Sequence, residues 1–152
     1  MLNTIGYEGA DLDDFVHTLV QAEINTLVDI RDRAQSRRRG FSKTALSERL
    51  ARDGIAYIHM RELGDPKEGR EAARAGNWSK FKRIFEAVLK TDEAQSAILS
   101  ITHLSKSQNI CLLCYERDEK TCHRKIVSEI IEKKLKRKTR HLGVRQFERE
   151  AA

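Results

Sequence analysis

Cys122-His123-Arg124 follows Cys114-Tyr115-Glu116 across a short polar turn, and the interval holds the residue types of a reactive site: two thiols, an imidazole, a carboxylate and a guanidinium. A thiol at a helix start beside Lys120 and Arg124 has its thiolate stabilised by the helix dipole and by the cations. Cys122 is therefore a candidate nucleophile, with a structural thiol as the alternative. Glu116 is a candidate general acid or base. Asp29 and His59 join it, because each closes a short apolar run and so ends where a strand would end. The free N–H groups of a first helical turn attract anions, which makes His123 and Arg124 candidate phosphate ligands, along with Arg31, Arg37 and Tyr7.

Two other uses of the same residues compete. Cys111-x-x-Cys114 with Cys122-His123 resembles a zinc ligand set, but residues three apart on a strand point to opposite faces, so Cys111 and Cys114 cannot share one ion. Cys114, Cys122 and His123 remain as a weaker metal set, and Cys114 with Cys122 as a redox-sensitive pair across the turn. Asp29 and Glu116 can divide acid and base roles or share a divalent ion. They can equally be salt-bridge partners that fix Arg31, Arg117 and Arg124, the commoner fate of a carboxylate among arginines. No cofactor is indicated.

Positioning these groups requires strands that end beside one another. Met1–Ile5, Thr26–Ile30, Ile55–Ile58 and 110–115 are short apolar runs, and Arg140–Val144 is a short fifth candidate. Between them, Leu12, Phe15, Val16, Leu19 and Val20 recur at helical spacing behind the cap Asp11, and Leu46 and Leu50 do so behind Ser42. Trp78, Phe81, Phe85, Val88 and Leu89, then Ala94 to Leu104, mark two more helices, their apolar stripes expected in the core. Thr121 is the expected cap of a helix carrying Ile126, Val127, Ile130, Ile131 and Leu135. From Leu63 to Asn77 the polar composition, three glycines and Pro66 predict a loop with some local helix that covers the site. This alternation predicts a single three-layer α/β/α domain over 1–146, with a mostly parallel sheet of about five strands and a frayed tail over 147–152. Ligands of such a sheet bind beyond the carboxyl ends of its strands, where Tyr7, Asp29, Arg31, His59, Glu116 and Cys122 to Arg124 all fall.

With 152 residues and a net charge of +6, one domain with an anionic partner is favoured, either a small molecule or nucleic acid. The positive charge is concentrated in Arg31 to Arg39, a candidate lid, and in Lys133 to Arg140. No apolar run approaches the roughly 20 residues that span a bilayer. The absence of a basic-then-apolar leader and the odd cysteine count predict a soluble cytoplasmic chain with free thiols instead of a disulfide framework.

Thr4-Ile5-Gly6-Tyr7, Leu27-Val28-Asp29-Ile30-Arg31, Ser36-Arg37 with Gly40-Phe41-Ser42, Tyr57 before Leu63-Gly64, and Leu112-Leu113-Cys114-Tyr115-Glu116 followed by Cys122-His123-Arg124 together resemble the bacterial and archaeal family named domain of unknown function 488. The resemblance covers nearly the whole chain and implies an intracellular single-domain α/β protein without a settled activity. Ala34 stands where the family commonly has proline, and Asp65 where it often has a second glycine. The resulting expectation is a small enzyme acting on a phosphate-bearing substrate, nucleotide or nucleic acid. The alternatives are a non-catalytic nucleic-acid-binding or regulatory module and a thiol-redox or metal-sensing protein.

Overall fold

Leu2–Gly6 (β1), Thr26–Asp29 (β2), Ala56–His59 (β3), Ile110–Cys114 (β4) and Arg140–Leu142 (β5) pair side by side in the order β3-β2-β4-β1-β5, every neighbour parallel. The structure is a computed structural model that describes residues 1–148. The central strands β1, β2 and β4 are buried along their whole length, the polar Asn3, Thr4, Thr26 and Asp29 included, whereas the edge strand β3 alternates between exposed and half-buried positions.

Helices cover both faces. On one face Leu12–Gln21 (α1) and Lys43–Ala51 (α2) bury Phe15, Val16, Leu19, Leu46 and Leu50 against Ile5, Leu27, Cys111 and Leu113. On the other, Lys67–Arg74 (α3), Trp78–Leu89 (α4), Asp92–Ser105 (α5) and His123–Leu135 (α6) bury Ala72, Phe81, Phe85, Ile98, Ile101, Val127 and Ile131 against Val28, Ile110 and Leu112. The chain therefore forms the expected α/β architecture, with an all-parallel five-stranded sheet. Leaving β1 the chain crosses to the α1 face, and leaving β4 it crosses to the α6 face. The adjacent ends of β1 and β4 thus form a crevice of the kind that binds ligands in open α/β sheets.

Several local expectations change. The polar stretch after Leu63 folds as the two-turn helix α3, which Pro66 opens; too few apolar residues recur there to show the period. Trp78 stays 41% exposed, at the first position of α4, where the stripe has not yet turned inward. Ser42 opens α2 without capping it, because its hydroxyl donates to Ser36 O and accepts from Ser36 N. Within the tail expected to fray over 147–152, Phe147 stacks on His17 and its N–H reaches Asp14 Oδ1, while residues 149–152 lie outside the described residues.

Candidate active site

The loops leaving β1 and β4 are knitted together before either presents a side chain. Glu8 N donates to Tyr115 O at 2.8 Å, and Arg117 N donates to Glu8 Oε1 at 3.0 Å. Gly6 permits this approach, since a Cβ there would overlap the carbonyl of Glu116. Beneath them lies Arg124, 1% exposed. Its guanidinium donates to Thr4 Oγ1 at 3.2 Å, to Cys114 Sγ at 3.1 Å, to Glu116 O and to Arg117 O at 3.2 Å. Burial works against its charge, and its pKa is lowered. Arg124, expected to bind phosphate, is thus turned under the β4 loop and does not line the cleft.

The helix start also shifts by one residue. A 3₁₀ turn, Glu119–Thr121, precedes it, in which Asp118 Oδ1 accepts from Lys120 N and the Thr121 hydroxyl donates to Asp118 O. Thr121 is therefore no cap. Cys122 takes that position with extended backbone, and α6 begins at His123. The turn folds the helix start back onto the end of β4, and there Cys114 and Cys122 form a disulfide. This corrects the expectation of free thiols for that pair. Cys111 is the free cysteine; it is buried, and burial raises its thiol pKa well above the usual range.

Asp29 lies at the bottom of the sheet's end, fully buried. Arg31 grips it with Nε to Oδ1 at 2.9 Å and Nη2 to Oδ2 at 2.7 Å, and the Tyr57 hydroxyl donates to Oδ2. Burial opposes the charge of Arg31, but the hydrogen bonds and attraction of Asp29 outweigh it and raise its pKa. Burial and the same carboxylate raise that of the Tyr57 hydroxyl. Arg31 Nη1 also donates to Tyr7 OH at 3.1 Å, and the Tyr7 ring stacks on Phe41. Asp29, expected to do acid–base chemistry, is therefore a buried anchor that does not face the cleft.

Above this layer opens a cleft of about 480 Å³. Tyr7, Arg31, Arg37, Glu116, Cys122 and His123 from the expected site all line it. His59 does not. Its Nε2 lies 2.8 Å from Arg31 O, and it opens onto a neighbouring cleft with Lys43 and Arg61, separated by the loop that carries Arg33 and Gln35. That arginine loop is pinned by Lys43 N to Ala34 O, by Arg38 to Ala10 O and by buried Phe41. The basic cluster at Lys133 to Arg140 follows the far end of α6, about 20 Å of helix from the cleft.

The groups lining the cleft that fall outside the candidates read from the sequence include Asp65, Arg70 and Arg74. The two arginines are one helical turn apart on α3, the element whose periodicity is hidden. Arg70 donates to Asp65 O at 2.7 Å and to Asp32 Oδ2 at 3.3 Å. Arg33, Arg37 and Arg74 have no hydrogen-bond or ion-pair partner among the described residues and remain available to a ligand. Burial raises the pKa of Glu116 above the usual carboxylate range and pushes Asp65 up to about 7. His123 is held neutral: burial lowers it to about 4, and its Nε2 faces Ile30 O at 2.8 Å. With Nε2–H donated to that carbonyl, the lone pair of Nδ1 faces Cys122 Sγ at 3.5 Å.

A model of one protein family matches residues 11–131, and its description is "Domain of unknown function DUF488". The chain belongs to that family. No curated protein and no solved structure matches it. What this DUF488 chain can do chemically thus rests on the cleft itself. Guanidinium groups are available for a multiply charged anion, two carboxyls are able to hold or release a proton, and a disulfide is within reach of a bound molecule. Cys114, Cys122 and His123 have donor atoms within 4.8 Å of one another, the residue types of a three-donor site for a soft cation once the disulfide is reduced. As a disulfide the two sulfurs are bonded to each other and are not thiolate donors. Among the described residues no helix is long and apolar enough to cross a membrane.

Proposed function

We propose that this chain is a small enzyme acting on a phosphate-bearing substrate, a nucleotide or nucleic acid, in the cleft beyond β1, β2 and β4. One observation carries the reading: Arg33, Arg37 and Arg74, none of them paired among the described residues, line the same cleft as two carboxyls, Glu116 and Asp65, whose ionisation burial disfavours. Planar guanidinium forks match phosphate oxygens. A surface that only held phosphate would gain nothing from carboxyls at its centre, whereas an enzyme needs groups that exchange protons near neutral pH. In this proposal Arg37 and its neighbours bind the anion, Tyr7 and Arg31 shape the floor, and Glu116 moves the proton. The same proposal puts the chain in the cytoplasm, where nucleotides are abundant.

The test is a screen of nucleotides, phosphodiesters and short oligonucleotides, with and without divalent metal, reading turnover and affinity in parallel. Arg33→Ala, Arg37→Ala and Arg74→Ala should each weaken binding. A second reading has its own support: the Cys114–Cys122 disulfide lines the cleft, as a thiol-exchange protein would require. Reduction of that bond by small thiols, without turnover of any phosphate compound, would favour it.

A further inference from the structure

Asp65 is 4% exposed, yet its Oδ1 is buried without a hydrogen-bond partner among the described residues. It ends the segment before α3, and the helix comes close enough that a Cβ at Gly69 would overlap the carboxyl. Pro66 opens α3 with no side-chain cap, so the carboxyl sits beside the first turn without taking its N–H groups. A charged carboxylate in this state bears a desolvation cost that no hydrogen bond offsets, whereas a protonated one carries an O–H, and Asp65 is among the residues lining the cleft. The groups around it are mixed. Arg70 from α3 attracts its charged form, while Glu116 from the β4 loop and Asp32 from the β2 loop repel it. The Arg70 fork is already engaged by Asp32 Oδ2 and by the Asp65 carbonyl and makes no hydrogen bond to the Asp65 carboxyl.

We propose that Asp65 is an anion-contacting acid of the cleft, whose protonated carboxyl donates a hydrogen bond to an oxyanion oxygen held by Arg33, Arg37 and Arg74. The inference deepens the phosphate-cleft reading and rests on it. It gives the cleft a discriminating contact: the O–H complements a fully ionised oxyanion, and loss of its proton turns the same position into a repulsive charge.

The experiment measures binding of sulfate to the full chain by calorimetry from pH 6 to 8, since sulfate keeps its charge throughout whereas phosphate does not. With Asp65 titrating near 7, affinity should fall about tenfold over that range in the wild type. Asp65→Asn should hold it within about twofold. Carbon NMR of the Asp65 carboxyl in the wild type gives a readout independent of any variant's folding. Added sulfate should raise its titration midpoint, by the reciprocity of coupled binding. Sulfate that binds equally well at both pH values, or an Asp65 midpoint unmoved by sulfate, would overturn the role of Asp65 and leave the arginine cleft standing. No sulfate binding by any form, at any pH, would remove the anion cleft itself and this inference with it.

Discussion

Arg31 holds Asp29 in a two-pronged pair whose carboxylate is fully buried beneath the cleft. Removing one partner of such a pair leaves an uncompensated buried charge. Asp29→Ala should therefore destabilise the fold by about 3–5 kcal/mol. Denaturant unfolding measures this, and a loss below about 1 kcal/mol would show that the pair is not structural.

Thiol counting tests the bond at the helix start. The chain has three cysteines, of which Cys114 and Cys122 are joined. Unfolded in guanidinium without reductant, it should show a single reactive thiol, that of Cys111, and three after reduction. Three reactive thiols without reductant would contradict the disulfide.

Burial of Asp65 also makes stability depend on pH. Its pKa is raised from 3.8 to about 7 on folding, so the folded chain binds this proton more tightly than the unfolded chain. The contribution of this group is then intact below about pH 4 and is lost as pH rises to about 7. Asp65→Asn should be more stable than wild type at pH 8 and no more stable at pH 4. Thermal unfolding at the two pH values decides this, and an equal change at both would mean that folding does not raise the pKa of Asp65.

The order of elements was legible because the buried strand β4 is a continuous apolar run, short strand-like stretches with apolar residues mark β1 and β2, and α1 shows one apolar stripe. Less legible were features fixed by contacts between distant segments. Nothing local to Arg124 signals that its guanidinium is engaged by Glu116 O and Arg117 O instead of a ligand. Thr121 has the chemistry of a cap, but its hydroxyl is already donated to Asp118 O. Asp65 looked like a loop residue because its acidity depends on Gly69 lying against it, a relation visible only once α3 is folded. The placement of Tyr7, Arg31, Glu116 and Cys122 beyond the ends of β1, β2 and β4 could be read in advance, since parallel strands bring their carboxyl ends together.

If the substrate is a nucleic acid, affinity should fall with salt by a log–log slope of about 0.9 per phosphate contacted. Arg37→Ala should reduce that slope by about one contact. Measured by fluorescence anisotropy with a short oligonucleotide, an affinity unchanged between low and moderate salt would exclude nucleic acid and leave a mononucleotide-sized ligand.

The central claim, that the cleft catalyses and does not only bind, turns on Glu116. Glu116→Gln keeps nearly the same shape and removes the titratable group, so a proton-transfer role is lost while ground-state contacts persist. The measurement is turnover and affinity for the best phosphate compound from the screen, taken side by side for wild type and Glu116→Gln. The account predicts turnover reduced by about 10²–10⁴-fold with affinity within a few-fold of wild type. Turnover of Glu116→Gln at the wild-type rate, or no turnover of any phosphate compound by the wild type, would contradict it.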